Sequence, residues 1–184
     1  WWPFSVFLKI CDVDHSSKMF IARFKFSQHF TTARADTFIE VMKLVVSSGS
    51  QFDAILVVRF DVVYKAPITG LNVNWGKVNI AFRDKNFLWE RNRKVSDLFF
   101  VVPNASVEVF RRALLASKAH LDDHHACQHV YPTLEAALGT DGVHFIDGLY
   151  CGTAELNDLR RSPTFLSMSR ECSPWHNKCE RAGG

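Results

Sequence analysis

Phe52-Asp53-Ala54-Ile55-Leu56-Val57-Val58-Arg59-Phe60-Asp61-Val62-Val63-Tyr64 is the stretch whose reading decides the fold class. Ile55 to Val58 show no polar alternation, so the strand they predict is to be covered on both faces, as a central strand of an α/β sheet is. Upstream, residues 33–48 read as a helix: Phe38, Val41, Met42 and Val45 recur on one face, and Gly49 stands where a left-handed cap is expected. Before it, Phe4 to Ile10 reads as a short buried strand that ends at Asp12-Val13-Asp14. Downstream, Pro67, Gly70, Gly76 and the asparagines make residues 66–77 a loop, and Val78 to Phe82 a short strand. Val95 to Val102 is a second apolar strand, carrying Asp97 and ended by Pro103-Asn104. Asn104 or Ser106 then caps a helix whose apolar face is Val107, Phe110, Leu114 and Leu115. A further helical region runs from Leu121 to Leu138, kinked or split at Pro132 and ended by Gly139, and Val143 to Ile146 is a short strand. This order predicts α/β layering: a mixed or largely parallel sheet flanked by helices, in one domain over residues 1–184, with 171–184 an irregular tail.

Composition agrees with a packed domain. The chain has 184 residues, 47% hydrophobic and 22% charged, with 16 Phe to fill a core. Lys plus Arg number 22 against 19 Asp plus Glu, and the net charge of +3 is too small to argue for nucleic acid. No run approaches the roughly 20 apolar residues of a membrane span. The start, Trp1-Trp2-Pro3-Phe4, lacks an initiator Met and a basic leader, and reads as a cut through a longer chain or a processed terminus. Five Cys at wide spacing do not make a disulfide framework, although Cys172 and Cys179 are close enough to pair in an oxidising compartment.

Two places in the strands carry chemistry. Arg59 and Asp61 stand near the end of the strongest strand, where open α/β sheets bind ligands. A carboxylate there suits a divalent cation and a guanidinium fork suits a phosphate. The alternative is an internal Arg–Asp ion pair. Asp97 is placed similarly on its own strand. It can converge with Asp61 on one edge, where one Asp holds a metal and the other orients or deprotonates a hydroxyl. The alternative is a satisfied turn or cap.

FDAILVVRFDVVYK and the later RKVSDLFFVVP resemble nucleotide-sugar glycosyltransferases of the GT-A type, including the WavE-like lipopolysaccharide group and related protist and algal proteins. The helix after Asn104 and the segment Arg161-Ser162-Pro163-Thr164-Phe165, with Arg170, extend the likeness over about residues 30 to 170. The resemblance implies a Rossmann-like domain that binds a nucleoside diphosphate sugar and hands the sugar to a glycan or protein acceptor. Arg59-Phe60-Asp61 takes the place of Asp-x-Asp. That leaves two ways to neutralise the diphosphate: a Mn or Mg ion on Asp61, or the Arg59 guanidinium itself. Asp97 takes the sugar-binding or general-base role, and His144 is the late histidine such enzymes supply to the metal. The other reading of His144 is a core histidine with a satisfied hydrogen bond.

Weaker candidates are Asp12-Val13-Asp14, the His124, His125 and His129 group beside Asp122 and Asp123, and Cys172 with His176 and Cys179. The charged stretch from Arg83 to Lys94 embeds Phe87 and Trp89, which can contact acceptor sugars or simply anchor a loop. The competing functional classes are a non-catalytic α/β binding domain of degenerate glycosyltransferase type and a metal-dependent hydrolase built on the histidines.

Overall fold

A computed structural model describes residues 8–11, 34–47, 52–58, 62–84, 89, 93–120, 126–147, 150–151 and 166–168. Its elements are β1 (Leu8–Cys11), α1 (Arg34–Ser47), β2 (Ala54–Val58), β3 (Val62–Tyr64), β4 (Val78–Ile80), β5 (Arg83–Asp84), β6 (Phe99–Pro103), α2 (Val107–His120), α3 (Val130–Leu138), β7 (Val143–Phe145), β8 (Tyr150–Cys151) and β9 (Leu166–Met168). Five strands form one mixed sheet in the order β1-β2-β6-β4-β7. β2 is antiparallel to both its neighbours and β4 is antiparallel to β6, so among the described strands of this sheet only the β4–β7 pair is parallel; β5 and β8 form a separate parallel pair. The sheet is therefore α/β and mixed, not largely parallel. β2 ends at Val58 and β3 pairs with β9 in a separate ladder, so the long strand expected over 52–64 is two strands in two sheets.

Strand alternation sorts the core into two layers. Ile55 and Val57 of β2, Val78 and Ile80 of β4, and Phe100 and Val102 of β6 face the helices. They meet Phe38, Ile39, Met42 and Val45 of α1, Val107, Phe110, Ala113 and Leu114 of α2, and Val130, Tyr131 and Leu134 of α3. Phe100 makes edge contacts with Phe38 and Phe110, ring centroids 6.3 and 5.1 Å apart. Helix α2 lies between α1 and α3 and touches both. Its buried stripe takes Ala113 and Ser117 instead of the expected Leu115, which is 38% exposed.

On the opposite face Ala54, Leu56, Ala81, Phe82, Leu98, Phe99 and Val101 pack against Ile68, Leu71 and Val73 of the loop. Both faces of β2 are covered, as its apolar run requires. Among the described residues, however, the second cover is a loop and not a helix. Asn79 of β4, completely buried, ties that loop down. Its Oδ1 accepts from the Asn74 N–H at 2.7 Å, and its Nδ2 donates to the carbonyls of Asn74 at 2.8 Å and Lys77 at 2.6 Å.

The expected split at Pro132 resolves differently. A 3-10 turn over Ala126–His129 precedes α3, and Pro132 sits in the first turn of that helix, where its missing N–H has no intrahelical partner to lose. Gly139 ends α3 with φ 75, a conformation that disfavours any Cβ. Among the described residues no helix is long and apolar enough to cross a membrane.

Candidate functional site at the carboxyl edge of the sheet

Strands β2, β4 and β7 run in one direction, so their carboxyl ends share an edge with the start of β6. The last rung of β2 pairs Val58 with Phe99, two residues after Asp97. Arg59, Phe60 and Asp61 lie outside the described residues; they are bracketed by the end of β2 and the start of β3. The same holds for Asp12, Asp14, His124, His125, Phe87, Cys172, His176 and Cys179.

Asp97 is not on a regular strand. β4 pairs Ile80 with Phe100, and an isolated bridge pairs Arg83 with Val95. Between these rungs the β4 side supplies Ala81 and Phe82, while the facing side supplies Ser96, Asp97, Leu98 and Phe99. The two extra residues form a bulge, a device that re-aims side chains and recurs beside active sites. The Ser96 N–H donates to the Phe82 carbonyl at 3.1 Å, and the Ser96 hydroxyl accepts from the Leu98 N–H at 3.3 Å. Asp97 is only 4% exposed and is engaged by its surroundings. A carboxylate buried so deeply is costly unless its oxygens are bonded, and Asp97 has such partners.

Beyond β7, the Asp147 N–H donates to the Ala81 carbonyl at 2.9 Å and extends the parallel pairing to the same edge. Ala81 is thus flanked by the Asp97 bulge on one side and by Asp147 on the other. Asp147 was not among the residues singled out from the sequence. The signal was there: Val143-His144-Phe145-Ile146-Asp147-Gly148 repeats the pattern of an apolar strand followed at once by Asp.

His144 lies elsewhere. It is paired with Asn79 in the middle of the strand pairing and faces the loop layer. Its Nε2 is 2.8 Å from the Asn72 carbonyl, which can only accept, so Nε2 carries the hydrogen and donates. Residue 79 is also opposite Val101. His144 is therefore two strand spacings, about 10 Å, from the β6 line that carries Asp97. The structure does not bring these two residues together. Among the described residues no group of three or more His, Cys, Asp or Glu is placed to hold a metal ion.

The helix-facing side of the same edge holds an aromatic cluster. Trp89, Tyr131 and Phe145 pack with ring centroids 5.4, 5.4 and 5.9 Å apart. The Arg83 guanidinium lies 4.1 Å from the Phe145 centroid and 5.5 Å from that of Trp89; the Arg93 guanidinium lies 5.6 Å from Trp89. The Tyr131 hydroxyl donates to Glu135 at 2.8 Å, and burial, reinforced by that carboxylate, holds its pKa above the ordinary phenol value. Trp89 was expected as a sugar platform or an anchor. At 8% exposure it is an anchor, while the Arg93 side chain beside it is 38% exposed.

Compared with protein-family models, curated proteins and solved structures, the chain matches none, so the geometry of this edge is what bears on function.

Proposed function

We propose that the chain is a glycosyltransferase that moves a sugar from a nucleotide-sugar donor to a glycan or protein acceptor, with its site at the carboxyl edge of a Rossmann-like, GT-A-type sheet. The observation that supports the reading is the Val58–Phe99 rung, which joins the last described residue of β2 to the strand that begins two residues after Asp97. Carboxyl edges of α/β sheets are where nucleotide ligands dock. In this reading Arg59 and Asp61 take the donor diphosphate. The Arg59 fork offsets the negative charge that grows on the diphosphate as its bond to the anomeric carbon breaks. Asp97 orients the acceptor hydroxyl or accepts its proton as the new glycosidic bond forms. A Mn or Mg ion on Asp61 would add charge neutralisation, without His144, which the structure holds on β7 against the Asn72 carbonyl; no step above depends on it.

The test is turnover of UDP- and GDP-sugars by the wild type, Asp61→Asn and Asp97→Asn, each with and without Mn²⁺, with melting temperature as the folding control. Turnover should fall by orders of magnitude in either folded variant, as when a preorganised electrostatic group is lost. Full turnover in both folded variants refutes the site. A wild type whose melting temperature no nucleotide raises would make the chain a non-catalytic domain.

A further inference from the structure

We propose that Trp75, presented on the turn from Asn74 to Lys77, is a stacking platform for a saccharide; resting on the reading above, that saccharide is a remote part of an extended glycan acceptor. Trp75 is 40% exposed, and the turn beneath it is fixed at both ends. The Lys77 N–H donates to the Asn74 carbonyl at 3.1 Å, which makes Trp75 and Gly76 the two central residues. The Asn74 side-chain oxygen accepts from the Gly76 N–H at 3.1 Å. Buried Asn79 bonds the Asn74 N–H and carbonyl at one end and the Lys77 carbonyl at the other. His144 on β7 ties down the approach through the Asn72 carbonyl. A completely buried amide thus fixes a turn whose largest side chain meets solvent. A ring on a fixed backbone has little freedom left to lose when a ligand covers it, so it binds at low entropic cost.

The surroundings select the ligand. Leu71 and Val73 pack on the sheet, while Asn72 and Asn74 are exposed on the approach to Trp75. Among the described residues the Trp75 ring and indole N–H have no partner, and neither has the Asn72 side-chain amide. A side-chain amide both donates and accepts, as a sugar hydroxyl does, and the indole face takes the apolar C–H face of a pyranose ring. A docking surface for a protein or a membrane needs a contiguous apolar patch. The other large apolar side chains exposed among the described residues are elsewhere: Leu44 and Val46 on α1, Leu115 on α2, and Tyr64 on β3 against Phe99 at the start of β6. Position separates the platform from the reacting groups. Trp75 precedes Val78 at the amino end of β4, and Ala81, which flanks the Asp97 bulge, lies three residues past Val78, about 10 Å along the strand. The platform therefore holds a part of the acceptor that does not react, where binding energy still serves to position the part that does.

Mannotriose, chitotriose, maltotriose and galactotriose should be titrated into the protein by calorimetry. Saturable binding of at least one is expected in the wild type. In Trp75→Ala its affinity should drop about tenfold or more. The melting temperature should hold, because the bonds of the turn use backbone groups and the side chains of Asn74 and Asn79. Trp75→Phe, which keeps a smaller ring and loses the indole N–H, should fall between the two. No trisaccharide binding by the wild type, or wild-type affinity in Trp75→Ala, overturns the inference. So does Trp75-dependent binding of phosphatidylserine vesicles by a wild type that takes no trisaccharide, which would assign the ring to a membrane surface. Trisaccharide binding that depends on Trp75, without sugar transfer from any donor, would leave this platform standing and remove the glycosyltransferase reading. Transfer to the trisaccharide with an unchanged acceptor KM in Trp75→Ala would do the reverse.

Discussion

Replacing Asn79 by Leu should destabilise the protein by about 3 kcal/mol. The side chain is completely buried and serves three backbone groups of the covering loop: the Asn74 N–H at 2.7 Å and the carbonyls of Asn74 and Lys77 at 2.8 and 2.6 Å. Leucine has a similar volume but no polar atoms, so all three loop groups lose their partner. Each such bond contributes about 1 kcal/mol net, and more when the abandoned group stays out of water. For a chain of this size each kcal/mol shifts the melting temperature by about 2–4 °C, so a drop of about 6–12 °C is expected. Urea denaturation followed by circular dichroism measures the free energy, and calorimetry the melting temperature. Asn79→Asp is the informative companion. Its carboxylate can still accept from Asn74 but faces two carbonyls with no hydrogen to give. The folded state therefore raises that carboxyl's pKa. The sign follows: Asn79→Asp should regain stability relative to wild type as pH falls toward the ordinary carboxylate pKa, and lose it as pH rises. A loss below about 1 kcal/mol in Asn79→Leu would mean that the loop is not anchored through this residue.

Two more outcomes follow from the packing. Phe100→Ala should cost about 3–5 kcal/mol in the same denaturation assay, because the ring is completely buried between Phe38 and Phe110; a cost under about 1 kcal/mol would show that this core is not close-packed. Tyr131→Phe should flatten the alkaline limb of the stability–pH curve: burial, and then Glu135, raise the folded phenol's pKa, so its contribution is complete below the unfolded pKa and is lost as pH rises past it, and an unchanged limb would contradict this.

The candidate site was legible only in part. Asp97 stood out because an acidic residue beside Leu98-Phe99-Phe100 needs a reason to be there. Asp147, on the far side of Ala81, carried the same signal more faintly, after a strand of only Val143–Phe145. Trp89 was visible as an aromatic in a charged segment, but its partners Tyr131 and Phe145 are far along the chain, and no local pattern pairs them.

Side-chain periodicity by itself determined which segments are helices and which faces they bury: Phe38, Met42 and Val45 mark α1, Val107, Phe110 and Leu114 mark α2, and the unbroken run Ile55 to Val58 requires cover on both sides of β2. Periodicity depends on one chain segment and the medium around it, so it can be read without knowing any partner. Only the tertiary structure decided that β2 lies antiparallel between β1 and β6, that its second cover is a loop pinned by Asn79, and that Val62–Tyr64 pair with β9 in a separate ladder. Parallel and antiparallel strands share the same alternation, so direction and register are set by hydrogen bonds to a distant strand. The Asp97 bulge is the clearest case: it exists because four residues oppose two, a mismatch between two strands that neither strand's sequence contains.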